Sequence, residues 1–138
     1  MFVFLAFSWP LGLILPTEQI NLLPIKIAGY MLFIASIALI LSAAGLFKKI
    51  GTTIDPTKAP DHLVTTGLYQ LSRNPMYLGM LLTLIGAQLA LSSLVGLIFP
   101  ISFFLVMNDI VIPREEQMVA EAFGASYAEY KTQTRRWI

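Results

Sequence analysis

Three clusters in this 138-residue chain combine residue types that can bind or move charge. The first follows His62 and reads Leu63-Val64-Thr65-Thr66-Gly67-Leu68-Tyr69. The second is Arg73-Asn74-Pro75-Met76-Tyr77-Leu78-Gly79. The third opens with Arg114-Glu115-Glu116 and continues through Phe123-Gly124, Tyr127, Tyr130 and Arg136-Trp137. An arginine can pair a carboxylate through two parallel N–H bonds. Ionised glutamates accept from an ammonium or from hydroxyls, and tyrosines offer a flat apolar face with a polar tip.

Each cluster also has a plain structural reading. Asn74 before Pro75 suits a helix start, an N-cap side chain followed by proline at the first helical position. Arg73 can be one more basic loop residue and Gly67 a turn. Tyr69, Tyr77, Tyr127 and Tyr130 can form an aromatic belt. Acids near a helix N-terminus are favoured by the helix dipole. Glu116, however, shares a helical stripe with Val119 and Phe123, and Glu115 leads the neighbouring stripe of Met118 and Ala122. Ionised groups on such faces need partners. Arg73 and a bound cation are the candidates.

The composition narrows the chemistry. There is no cysteine, hence no thiolate nucleophile, disulfide or cysteine-ligated metal. A single histidine, His62, cannot make a multi-histidine metal site. No basic stripe or arginine-rich run points to nucleic acid. If the chain is an enzyme, a cofactor carrying its own chemistry fits better than a protein-borne nucleophile.

The elements that must position these clusters are apolar. The hydrophobic fraction is 57% and the charged fraction 12%, about half the usual charged share of a soluble domain. No Asp, Glu, Lys or Arg occurs over 27–47 or 74–108. About 20 apolar residues suffice to cross the hydrocarbon core. The expected fold class is therefore all-α: a multi-helix integral membrane protein of about four transmembrane helices. The expected spans are about 1–16, 24–47, 75–91 and 94–112. A loop at 48–74 and a tail at 113–138 complete a single domain. The first segment is a thin or tilted helix, with a re-entrant or interfacial helix as the alternative. The stretch 75–113 would be about 58 Å long as one straight helix, so it reads as a hairpin broken at Ser92 and Ser93, with Pro100 kinking its second arm. The tail reads as an amphipathic helix from Arg114 to about Lys131, with Glu121, Ala125 and Glu129 on the wet face and Trp137 as an interface anchor. Eight of the nine basic residues lie in the loop and the tail, which places both on the cytoplasmic side of a multi-pass protein.

The order of the clusters resembles the isoprenylcysteine carboxyl methyltransferase and phospholipid methyltransferase superfamily over about residues 61–138. That pattern runs from Leu-Val-Thr-x-Gly-x-Tyr to an Arg-His-Pro-x-Tyr-x-Gly helix start. A membrane hairpin, a Glu-Glu pair, Phe-Gly-x-x-Tyr-x-x-Tyr and a basic-tryptophan ending follow. Asn74 stands where the family often has histidine, which removes one possible ligand to cofactor or substrate. The resemblance implies a membrane methyltransferase using S-adenosyl-L-methionine. The cofactor would be bound by His62, Gly67, Tyr69, Arg73, Asn74, Pro75, Tyr77, Glu115 and Glu116, with Arg73 and Glu116 in catalytic roles and the site on the cytoplasmic side. The implied acceptor is lipophilic, an isoprenylcysteine-type carboxylate or a lipid amine arriving from the bilayer among membrane lipids. An NADPH-dependent membrane reductase of related architecture and a non-enzymatic membrane subunit are the alternatives. No extra basic cluster for a 2′-phosphate is evident.

Overall fold

The computed structural model describes residues 22–52 and 60–138. The expected first span at 1–16, most of the link after it, and the loop residues around Lys58 lie outside the described residues. Among the described residues the chain is all-helical. Helix α1 is Leu23–Ile50, α2 is Pro75–Leu91, α3 is Ile98–Val106 and α4 is Ile112–Gln133. A 3₁₀ turn at Gly67–Gln70 precedes α2, another at Val95–Leu97 precedes α3, and a π turn at Met107–Val111 joins α3 to α4. By length and composition, α1 and the continuous helical stretch Val95–Gln133 can cross a membrane, and α2 is a shorter apolar helix.

Local chemistry explains most boundaries. Lys48 and Lys49 occupy the last turn of α1, where the dipole favours cations. Gly51 follows with φ +79°, and its N–H donates to the Phe47 carbonyl at 2.9 Å, a left-handed helix cap. Helix α2 starts at Pro75 and stops before Ser92, whose φ of 55° breaks the helix. The expected hairpin break is therefore where the structure has it. Both prolines stand near helix starts. Pro100 falls in the first turn of α3, where no intrahelical donor is needed. Pro113 stands at the second position of α4, which follows the π turn directly. The wider i→i+5 turn accommodates a residue that has no N–H to give.

The fold forms two units, residues up to Ala38 with Gly79–Val106, and Leu39–Leu78 with Met107–Ile138. In the first, α1 and α2 meet backbone to backbone. A Cβ on Gly29 would sit 2.4 Å from the Ala90 nitrogen, and one on Gly86 would sit 2.8 Å from the Phe33 nitrogen. Ser36 Oγ and Thr83 Oγ1 share a buried hydrogen bond of 2.8 Å. Small residues and cross-helix hydroxyl bonds are how helices associate in lipid, where apolar area alone gives no drive. Gly29→Ala is expected to force the helices apart and cost about 1–3 kcal/mol, measured by reversible unfolding in mild detergent. Gly45→Ala, whose Cβ would meet nothing, is the control and should be neutral or slightly stabilising. In the second unit, Ala43, Val64 and Tyr69 form a small core flanked by Leu46, Phe47, Ile50, Leu68 and Met76.

Candidate functional site

The site is built within the second unit, and its frame is a clamp between residues 72–74 and the chain's last turn. The Arg73 N–H donates to the Arg135 carbonyl at 2.9 Å. Ser72 Oγ donates to the Arg136 carbonyl at 3.3 Å and Asn74 Nδ2 to the same carbonyl at 3.0 Å. Asn74 thus spends its amide on the tail, while Ser72 Oγ accepts from the Asn74 N–H at 3.1 Å. The backbone role of Asn74 at the helix start is kept, since its carbonyl accepts from the Leu78 N–H at 3.0 Å.

Glu116 is the electrostatic centre of the clamp. Its side chain is 11% exposed. Oε1 accepts from Arg73 Nη2 at 2.7 Å and Arg136 Nε at 3.2 Å, and Oε2 accepts from Arg136 Nη2 at 2.8 Å. The Lys131 ammonium lies 3.7 Å from Oε2. Burial alone would raise this carboxyl, but the hydrogen bonds from Arg136 and Arg73 hold it below the ordinary carboxylate range. Glu115, next in sequence, is placed differently: Tyr77 Oη donates to its Oε1. Burial pushes the Glu115 carboxyl up, and the tyrosine hydrogen bond offsets part of that. Arg73 Nη1 donates to the carbonyls of Thr134 and Lys131, while its buried Nε has no partner.

These groups border a cavity of about 150 Å³. His62, Tyr69, Arg73, Asn74, Tyr77, Glu115 and Glu116 all line it, so seven of the nine residues singled out from the sequence come together. Gly67 and Pro75 do not line it. Gly67 has φ +60° and opens the 3₁₀ turn that carries Tyr69; Pro75 is the buried first residue of α2. The tyrosines are not a lipid-facing belt. Tyr69, Tyr127 and Tyr130 are buried, and Tyr130 Oη donates to the Tyr69 carbonyl. Burial pushes the Tyr130 phenol up to about 12, which keeps it a donor. The stripe expected on the tail is observed: Tyr127 and Tyr130 are buried and Glu116 nearly so, with Glu121, Ala125 and Glu129 exposed. Gly124 bends that helix at φ 49° and ψ −118°, a conformation open essentially to glycine.

Residues 25–126 match the phospholipid methyltransferase family. The chain belongs to that family. It is also 41% identical over 75 residues to protein-S-isoprenylcysteine O-methyltransferase of Saccharomyces cerevisiae, covering 54% of this chain and 31% of that one. It is 37% identical over 71 residues to protein-S-isoprenylcysteine O-methyltransferase B of Arabidopsis thaliana, covering 49% and 34%. An uncharacterized protein of Haemophilus influenzae is 40% identical over 63 residues, 46% of this chain and all of that one. The match thus spans about a third of each of the two methyltransferases. No solved structure matches.

The family match ends at residue 126, before Tyr127, Tyr130 and the Arg136 that completes the clamp. Three further groups shape the site without a motif to announce them. Beside Met76 of the second cluster, Phe47, Met118 and Val119 supply its apolar wall. Ser72 receives the backbone of Asn74. Asn108 accepts from Trp137 Nε1 at 3.1 Å and from Arg136 Nη1 at 3.3 Å. The signal for Asn108 was its polarity inside an apolar run. Trp137, expected as an interface anchor, is half-buried with its indole N–H on that residue.

Proposed function

We propose that this chain is a single-domain, multi-pass membrane methyltransferase that moves a methyl group from S-adenosyl-L-methionine to a lipophilic acceptor, an isoprenylcysteine-type carboxylate or a lipid amine. The observation that carries the reading is one cavity lined by Arg73, by the Glu115 carboxyl and by apolar and tyrosine walls. Those residues fit the donor's three recognisable parts. The Arg73 guanidinium and the backbone N–H groups opening α2 suit a carboxylate. Glu115 suits an ammonium or ribose hydroxyls. Leu63, Val64 and the tyrosines suit an adenine.

The donor, when bound, supplies an activated methyl on sulfur. The chain's own work is to orient and to exclude water. Arg73, held by Glu116, fixes one end of the ligand. Glu115, held by Tyr77, fixes another. Phe47, Met76, Met118 and Val119 form the apolar side by which a lipid-borne acceptor would approach. A carboxylate acceptor attacks without giving up a proton; an amine must lose one, and His62 on the cavity wall is the group placed to take it. The decisive experiment incubates membranes holding the protein with donor labelled in its methyl group, then extracts lipid. Label in a lipid fraction supports the reading, and none in any fraction overturns it. Separate titrations with the donor and with NADPH test the cofactor class, and binding of NADPH alone would replace this reading with a reductase.

The same reading proposes four spans with the loop at 48–74 and the tail on the cytoplasmic side. Cysteines placed at Lys58 and Gln133 should label from one face and a cysteine at Gln19 from the other. Labelling of Lys58 and Gln133 from opposite faces would remove this topology.

A further inference from the structure

Asn108 lies in the apolar run where a span is expected, and no motif contains it. Polar side chains in such runs are costly and usually have a task. Its surroundings follow from a backbone defect. Pro113, five residues on, has no N–H. In the i→i+5 register of the π turn Met107–Val111, the Asn108 carbonyl is the one that would face the Pro113 nitrogen. That carbonyl instead accepts from Arg136 Nη1 at 3.2 Å. The Asn108 side chain accepts from the same Nη1 at 3.3 Å and from Trp137 Nε1 at 3.1 Å. One residue therefore holds both ends of the Arg136-Trp137 pair.

The hold is passed on. With Nη1 occupied by Asn108, Arg136 presents Nε and Nη2 as a fork to the two oxygens of Glu116, at 3.2 and 2.8 Å. Glu116 Oε1 then receives Arg73 Nη2 at 2.7 Å. A guanidinium is planar and rigid. Once Nη1 and Nη2 of Arg73 are committed to Thr134, Lys131 and Glu116, the orientation of the guanidinium of this cavity-lining residue is determined.

We propose that Asn108 is a positioning residue for the methyl donor's carboxylate, acting through Arg136 and Glu116 to set the Arg73 guanidinium. This rests on the reading of the cavity as the donor site. The carbonyl left over by Pro113 and the amide beside it make a two-point socket for one arginine nitrogen. Losing the side-chain half of that socket loosens a chain of charge-assisted bonds without touching the donor.

The test measures donor affinity by calorimetry, together with kcat and KM once an acceptor is in hand, on the full chain in detergent. Asn108→Leu, close in volume but with no acceptor, is expected to weaken donor binding about tenfold, the loss of one bond to a charged group, with kcat within about twofold by the same arithmetic. Asn108→Asp keeps the accepting oxygen but loses the bond its amide donates to Asp109 Oδ1 at 2.8 Å, so it should restore part of the affinity. On an Arg73→Lys background, Asn108→Leu should cost little more, because its effect runs through Arg73. Should Asn108→Leu fail to fold, Asn108→Ser, polar but too short to reach Arg136, carries the same expectation. Unchanged donor affinity in the leucine and serine variants overturns the proposal. So does a loss in kcat alone, or full additivity with Arg73→Lys. A wild-type protein that binds no donor overturns the site reading itself, a result distinct from any of these.

Discussion

Glu116→Ala should destabilise the folded protein by about 3–5 kcal/mol, the usual consequence of removing one partner from a buried ion pair. The carboxylate is 11% exposed and serves two guanidiniums, one on a side chain 9% exposed and the other on a side chain 31% exposed. Without it, Arg73 and Arg136 face each other as uncompensated like charges. Glu121→Ala, on the exposed face of the same helix, is the matched control and should be close to neutral. Chemical unfolding in mild detergent decides the matter, and equal effects from the two substitutions would remove Glu116 from its central place. The pH dependence carries a defined sign. The Glu116 carboxyl is held below its ordinary range by the arginines, so its stabilisation is fully present above the ordinary carboxylate range. It is lost as pH falls through the lowered value. In a Trp9→Phe background the emission of Trp137, whose indole N–H is in the clamp, should report that loss. Glu116→Gln should show no acid transition of this origin.

Glu115→Gln is expected to separate binding from stability. The amide oxygen still accepts from Tyr77, so the fold should keep most of its stability, but the negative charge at the cavity is gone. If Glu115 holds the donor's ammonium, affinity for S-adenosyl-L-methionine should fall about 10- to 150-fold, the worth of one hydrogen bond to a charged group. Calorimetric titration of wild type and variant, with thermal unfolding run alongside, makes the measurement. Unchanged affinity would leave Glu115 as a structural partner of Tyr77 and shift the ammonium site elsewhere. The two adjacent glutamates are thus expected to fail differently, Glu116 by loss of the fold and Glu115 by loss of the ligand.

Much of this arrangement was legible in the sequence because it follows local rules. The start of α2 follows from Asn74-Pro75 and its end from the Ser92-Ser93 break, so its bounds needed no tertiary information. The 3.6-residue period on the tail assigned Glu116, Tyr127 and Tyr130 inward and Glu121 and Glu129 outward, as the structure has them. At residue 113 the missing proline N–H would by itself favour a helix boundary. The chain continues as helix because the preceding π turn fits the proline, and because an arginine 28 residues away supplies the Asn108 carbonyl with a donor.

The sequence by itself determined the all-helical, apolar character of the described residues, the hairpin, and the set of polar residues that meet at the cavity. These depend on composition and on spacings of three, four and about twenty residues, which the chain carries locally. Only the tertiary structure decided how neighbouring charges divide their work. Glu115 and Glu116 differ by one position on a helix, and periodicity cannot tell which of them an arginine will reach. That is settled by the last turn of the chain folding onto residues 72–74, where the Arg73 N–H bonds the Arg135 carbonyl and the Asn74 side-chain amide bonds the Arg136 carbonyl, fixing the register. Arg136 and Arg73 then converge on Glu116, and Glu115 is left to Tyr77 and the cavity. Partners 20 to 62 residues apart in sequence meet through chain topology, which no local pattern encodes.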